Sequence, residues 1–167
     1  EMKFTIYFEN DSAFASTAAQ RVTVRQKLHA NLNPLSFKLE SFGFGPYTFQ
    51  IPNNPPNYTT TLLLQDSADI GVDVEFTAGV DIVTNELFWI FQSIDQTTGI
   101  APYDPLSGFL KINDSIGSGE GFVKYSILPS LSTVTGDSIT AIANIVFDIN
   151  SDIETNREFN IIDAVAP

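Results

Sequence analysis

The chain has 167 residues, of which 43% are hydrophobic, and it carries a net charge of −12 with no cysteine. This length and apolar content predict one folded domain with a sizeable core, and the missing cysteines exclude a disulfide framework, a cysteine zinc site and a cysteine nucleophile. The negative charge disfavours nucleic acid and anionic lipid surfaces as partners, and no apolar run has the length of a membrane-spanning helix.

Apolar and polar residues alternate along the chain with the period of two that is typical of half-buried strands. In chain order this pattern predicts strands at 3–8, 22–25, 37–40, 48–51, 59–64, 72–76, 87–94, 122–128, 139–148 and a last strand near Ile161. The strand at 87–94 is apolar on both faces, which predicts a central position in a sheet. Residues 11–19 are rich in alanine and have room for one helical turn. The sequence therefore predicts an all-β fold, an antiparallel two-sheet β-sandwich of nine or ten strands.

One long loop, residues 95–121, interrupts this pattern and is rich in Asp, Gly, Pro and Ser. Structureless segments of this length inside a domain are commonly functional, ordered by a metal, or mobile. We therefore expect this loop to contribute to any binding site.

Motifs of catalysis are missing from the sequence. His29 is the only histidine and lies in a polar turn, where we expect a solvated surface residue. No serine lies in a Gly-x-Ser-x-Gly elbow, and no glycine-rich loop has the spacing of a phosphate site. We expect a chain that is not an enzyme. A glycoside hydrolase with paired carboxylates stays as an alternative, because a sequence does not give the separation of two acids.

Calcium is the cofactor that the acidic loops favour, because it binds six to eight oxygen ligands. The first candidate set lies at strand ends that we expect to meet, and its members are Glu9, Asp11, Asp148, Asn150 and Asp152. The second candidate set is spread along the long loop, and its members are Asp95, Asp104, Asn113, Asp114 and Glu120. The alternative is that these Asp and Asn residues fix turns through bonds to the backbone.

Aromatic residues could form a second kind of site, a platform on which a sugar ring stacks. The candidates are Phe44, Tyr47, Tyr58 and Tyr103. Two or more of them exposed in one plane would favour a carbohydrate- or protein-binding module attached to a secreted enzyme. The alternative is that they fill the core, as most aromatics of a sandwich do.

Several segments together carry a resemblance to a known class of domains. They are FTIYFEND at 4–11, WIFQSID at 89–95, DPLSGFL at 104–110, GEGFVKYSILP at 119–129, TGDSI at 135–139, ANIVFDIN at 143–150, IETN at 153–156 and NIID at 160–163. They resemble the conserved Ig-like repeat domains of large bacterial surface and secreted proteins, which typically contain GEGFVSYSIKP, TGTxI, ASIVFDxNxPIxTN and NTID.

The resemblance implies an Ig-like sandwich that acts as a non-catalytic structural or adhesion module, extracellular or at the cell surface. We expect residues 1–167 to form a single module cut from a larger multidomain protein, stabilised by calcium. Its expected partners are the neighbouring modules and a protein or glycan ligand. Two departures from the family pattern concern calcium: Asp152 replaces a proline and adds a ligand oxygen, whereas Gln26 replaces an acidic residue and removes one.

Overall fold

The computed structural model describes residues 1–64 and 71–163, which form twelve strands and one 3₁₀ turn. The strands are β1 Met2–Glu9, β2 Arg21–Lys27, β3 Lys38–Phe44, β4 Tyr47–Gln50, β5 Tyr58–Leu62, β6 Asp73–Asp81, β7 Glu86–Ile94, β8 Glu120–Ile127, β9 Ser138–Ala141, β10 Asn144–Phe147, β11 Ile153–Glu154 and β12 Glu158–Ile161. The 3₁₀ turn, Pro34–Ser36, lies between β2 and β3. The segment with room for a helical turn contains one hydrogen-bonded turn, in which the Ala15 N–H donates to the carbonyl of Asp11 at 2.8 Å.

The strands form two large antiparallel sheets and a small ribbon. One sheet has the order β1-β8-β3-β4 and the other the order β11-β10-β2-β7-β6-β5, while β9 and β12 pair as a two-stranded ribbon. The all-β antiparallel sandwich is confirmed, with more strands than expected. One extra strand arises because the strand predicted at 139–148 is broken at Ile142 and Ala143, so that β9 pairs with β12 and β10 pairs with β2. The other is the two-residue strand β11, which pairs with β10 and was not expected.

Aromatic side chains join the two large sheets across the core. Phe42 of β3 stacks on Phe76 of β6, with ring centroids 3.7 Å apart. Trp89 of the central strand β7 is 1% exposed and contacts Phe37 and Tyr125 from the opposite side. The central position predicted for β7 is confirmed, since it lies between β2 and β6, and this cluster covers the face that carries Trp89.

The two ends of the sandwich differ in what they carry. At one end, here called the terminal end, β1 begins with Met2 opposite Ile127, and β12 finishes with Ile161 opposite Ser138. The carbonyl of Ser138 accepts from Nδ2 of Asn31, in the connection after β2 at the same end. The opposite end, here called the loop end, holds the connections 10–20, 95–119 and 148–152. The beginning of β1 and the end of β12 therefore both lie at the end away from the long loop.

Candidate functional site

Asn10, the residue after β1, holds the loop end together. Its side chain is buried, and its Nδ2 donates to the carbonyls of Thr17, Leu110 and Lys111 at 3.0, 3.1 and 3.2 Å. Its backbone N–H donates to the carbonyl of Gly119 at 2.9 Å. The side-chain amide and the backbone N–H of this one residue therefore join the first connection to the middle and the end of the long loop. Sequence reasoning named the neighbours Glu9 and Asp11 as candidate ligands and missed this structural role of Asn10.

The middle of the long loop is packed onto the core. Phe109 and Leu110 are buried, at 2% and 0% exposure. The Phe109 N–H donates to Oγ of Ser93, a buried residue of β7, at 3.0 Å. Leu110 forms an antiparallel bridge with Ala19, in which the Ala19 N–H donates to the Leu110 carbonyl at 2.8 Å. The middle of the long loop is therefore part of the hydrophobic core.

Two members of the first candidate set, Glu9 and Asp11, lie beside Asn10. The Glu9 carboxylate accepts from Nδ2 of Asn113 at 2.7 Å, which ties the end of β1 to the long loop. The Asp11 carboxylate accepts from the N–H of Ala13 at 2.8 Å, a bond that closes a local turn.

The other members of this set lie in the connection after β10. Oδ1 of Asp148 accepts from the N–H groups of Gln20 and Arg21 at 2.9 and 2.8 Å, and Asp148 has a φ of 53°. Asp152 accepts from Nδ2 of Asn144 at 2.5 Å, and Asn150 is exposed. Asp148 therefore fastens the start of β2 to the end of β10.

Three aspartates of the second candidate set each close a turn within the long loop. Oδ1 of Asp95 accepts from the N–H of Thr98 at 2.8 Å, and Oδ1 of Asp104 accepts from that of Leu106 at 3.0 Å. Oδ1 of Asp114 accepts from the N–H of Ser118 at 3.1 Å. These backbone bonds hold the pKa values of Asp95 and Asp114 below the usual value, because donors aimed at a carboxylate favour its charged form.

The remaining members of the second set are Asn113 and Glu120. Oδ1 of Asn113 accepts from the N–H of Gly119 at 3.0 Å, so the side-chain amide of Asn113 accepts this bond as well as donating to Glu9. Glu120 is the exposed first residue of β8. Across residues 1–64 and 71–163, no three His, Cys, Asp or Glu side chains are grouped so that they could hold a metal ion. Both candidate sets lie at the loop end, but their side chains are not grouped into a single metal site in this structure. Calcium binding by them stays a prediction.

The candidate aromatic platform is divided between core and surface. Phe44 is buried, Tyr47 and Tyr58 are half-buried against the core, and Tyr103 is fully exposed in the long loop. The four rings therefore do not share one exposed plane. His29 is half-buried, and its Nδ1 accepts from the N–H of Asn31 at 3.2 Å.

A cavity of about 520 Å³ runs along the outer edge of β1, between that strand and the ribbon. We call it the edge groove. It is lined by residues 2–7 of β1, by Gln26, by residues 141–143, and by Thr155, Asn156, Glu158 and Asn160.

Gln26 lies in the wall of the edge groove and is 2% exposed. It was expected to follow the second strand; it lies inside β2 and away from the connection that holds Asp148. Its Oε1 accepts from the hydroxyl of Tyr125 at 2.9 Å, while its Nε2 has no hydrogen-bond partner within the described part of the chain. The spacing Val22, Val24, Gln26 was the available signal, because a period of two places Gln26 on the buried face.

A family model described as a domain of unknown function, DUF7619, matches residues 108–161. The matched segment begins at the buried part of the long loop, contains β8 and extends to the last residue of β12. Neither the curated proteins nor the solved structures contain a match to the chain. None of the helices in the described residues has the length and apolar character needed to cross a membrane.

Proposed function

We propose that the chain is a non-catalytic structural and adhesion module of a larger extracellular protein, and that it holds its loop end toward a partner. The observation that carries this proposal is the arrangement of the two ends. The beginning of β1 and the end of β12 lie at the terminal end, and the long loop lies at the opposite end. A scaffold of this kind can hold its loops toward a partner, and binding loops of β-sandwiches commonly lie at one end in this way.

The internal bonding of the loop end supports the same proposal. The side chains of Asn10, Asp114 and Asp148 form hydrogen bonds to backbone groups within this end. Loops that are ordered before contact lose less conformational entropy on binding, which favours affinity. The similarity of the motifs around β8 and β10 to Ig-like surface repeats supports the extracellular setting.

Single cysteines test both the location and the orientation, because these 167 residues contain none and labelling is measured relative to the unsubstituted parent protein. Tyr103 in the long loop and Leu131 at the terminal end are matched, since each is 103% exposed. Tyr103→Cys and Leu131→Cys are placed in the full-length parent protein, and intact cells are treated with a membrane-impermeant maleimide. The isolated domain with the same variants serves as the control and should label equally at both positions.

We expect Tyr103→Cys to be labelled on intact cells and Leu131→Cys to be labelled more slowly, because neighbouring parts of the chain join at the terminal end. Labelling of both positions only after lysis would overturn the extracellular setting. Faster labelling of Leu131→Cys than of Tyr103→Cys would overturn the proposed orientation.

Calcium is a separate part of the proposal. The bonds described above use Oδ1 of Asp11 and Oδ1 of Asp148, so an ion at the loop end would bind through their Oδ2 atoms. A ligand that binds only the folded chain raises the melting temperature. The measurement is the melting temperature in EDTA and then with added calcium. A rise that Asp148→Ala and Asp152→Ala remove supports a site in the first set, and an unchanged value excludes it.

A further inference from the structure

The outer edge of β1 offers unpaired backbone groups to the edge groove. Among the described strands, β1 pairs with β8 alone, so it is an edge strand of its sheet. In an antiparallel strand, alternate residues direct their N–H and C=O groups to opposite sides. The groove is lined by the consecutive residues 2–7, from both faces of the strand, which places it along the edge. About three residues of this stretch, roughly 20 Å long, therefore direct donors and acceptors into the groove.

Gln26 adds a donor to the same groove. Its amide is held by the Tyr125 hydroxyl through Oε1, and among residues 1–64 and 71–163 the Nε2 group has no partner, although the residue is 98% buried. A buried donor without an acceptor is unfavourable, so a partner that supplies an acceptor here is stabilised. The groove thus presents a row of backbone groups on one wall and a fixed amide donor on another.

We propose that the edge groove receives an extended polypeptide segment of another protein, which pairs with β1 as an added strand and offers a backbone carbonyl to Nε2 of Gln26. A polypeptide strand matches the alternating donors and acceptors of a strand edge. Its alternate side chains would face Ala141 and Ala143, two small buried residues, so apolar residues are favoured at every second position. This inference goes beyond the proposed function, which concerns the loop end.

The position of the ribbon favours a separate polypeptide segment as the occupant over a second copy of this chain. β9 and β12 lie across the groove from β1, and Glu158 and Asn160 of β12 line it. In a second copy, the same ribbon lies in front of the equivalent edge, so two β1 edges cannot approach each other. A single extended segment fits between the two walls.

The test selects the partner from a library of random octapeptides displayed on phage, with the isolated chain as bait. We expect the selected peptides to have apolar residues at alternate positions. Hydrogen exchange of the complex should slow at the alternate residues of 2–7 whose N–H groups face the groove. Gln26→Leu should weaken binding about tenfold, the equivalent of one buried hydrogen bond, whereas Phe159→Ser, which alters an exposed residue of the ribbon, should not.

Backbone N-methylation of the selected peptide tests strand pairing without changing the protein. Methylation at alternate residues should abolish binding in one phase, in which the N–H groups face β1, and be tolerated in the other. Equal effects in both phases, slowed exchange elsewhere than 2–7, or no selected peptide would overturn the proposal. Self-association through β1 in light scattering, or binding of glycans in place of peptides, would also overturn it. None of these outcomes depends on where the parent protein is located.

Discussion

Replacing Asn10 with alanine removes the amide that joins three backbone carbonyls at the loop end. The two Nδ2 protons serve contacts of 3.0, 3.1 and 3.2 Å. Each buried hydrogen bond contributes about 1 kcal/mol, and a carbonyl left without a donor costs about 1 kcal/mol more. Because Leu110 keeps its bond from Ala19, we expect a loss of roughly 2–3 kcal/mol in the free energy of unfolding. For a domain of this size that lowers the melting temperature by about 4–12 °C.

Trypsin gives a local measurement of the same change. Lys111 is the only basic residue between Lys38 and Lys124, and it lies in the segment that Asn10 holds. We expect Asn10→Ala to speed cleavage after Lys111, because local opening of the loop end becomes easier. Asn156→Ala is the control, since it removes an exposed amide with a local bond only. If Asn10→Ala melts and is cleaved like the control, the structural role of Asn10 is refuted.

Three further predictions concern single groups. Ser93→Ala should lower the free energy of unfolding by about 1–3 kcal/mol in urea denaturation, because the buried Phe109 N–H loses its acceptor; an unchanged midpoint would contradict this. The pKa of Asp114 is lowered in the folded chain, chiefly by the backbone bond from Ser118, so its contribution is present above about pH 4 and lost as pH falls through the folded pKa. The stability difference between the wild type and Asp114→Ala should therefore shrink at pH 3, and a constant difference would count against it. Burial raises the pKa of Tyr125, so stability should fall above about pH 10, where the unfolded chain releases this proton, and that fall should be smaller in Tyr125→Phe.

The core strands could be predicted from the sequence because every second residue of such a strand is buried, so the burial pattern is visible as an alternation in the sequence. In β7, buried and half-buried residues alternate along the whole strand, and both kinds are largely apolar. The break at Ile142 and Ala143 was not visible, because the apolar alternation continues through it. What changes there is the pairing partner, from β12 to β2, and partner choice depends on the whole fold.

The roles of the polar residues followed less completely. An aspartate that closes a turn and one that binds an ion have the same local composition, and Asp148 acts on Gln20 and Arg21, which lie more than a hundred residues away. Asn10 is similar, since its partners Leu110 and Lys111 lie in the long loop. Such contacts depend on which connections the topology brings to one end. The alternation that includes Gln26, by contrast, was a local signal of burial.

Hydrogen exchange in EDTA tests most directly whether the loop end is held by the chain's own bonds. The amides of Phe109, Asn113 and Gly119 donate to Ser93, Asn10 and Asn113 at 3.0, 2.8 and 3.0 Å. We expect these amides to exchange slowly without calcium or a partner, at rates close to those of neighbouring strand residues. Exchange at the rate of an unfolded peptide in EDTA, with protection appearing only when calcium is added, would contradict the account.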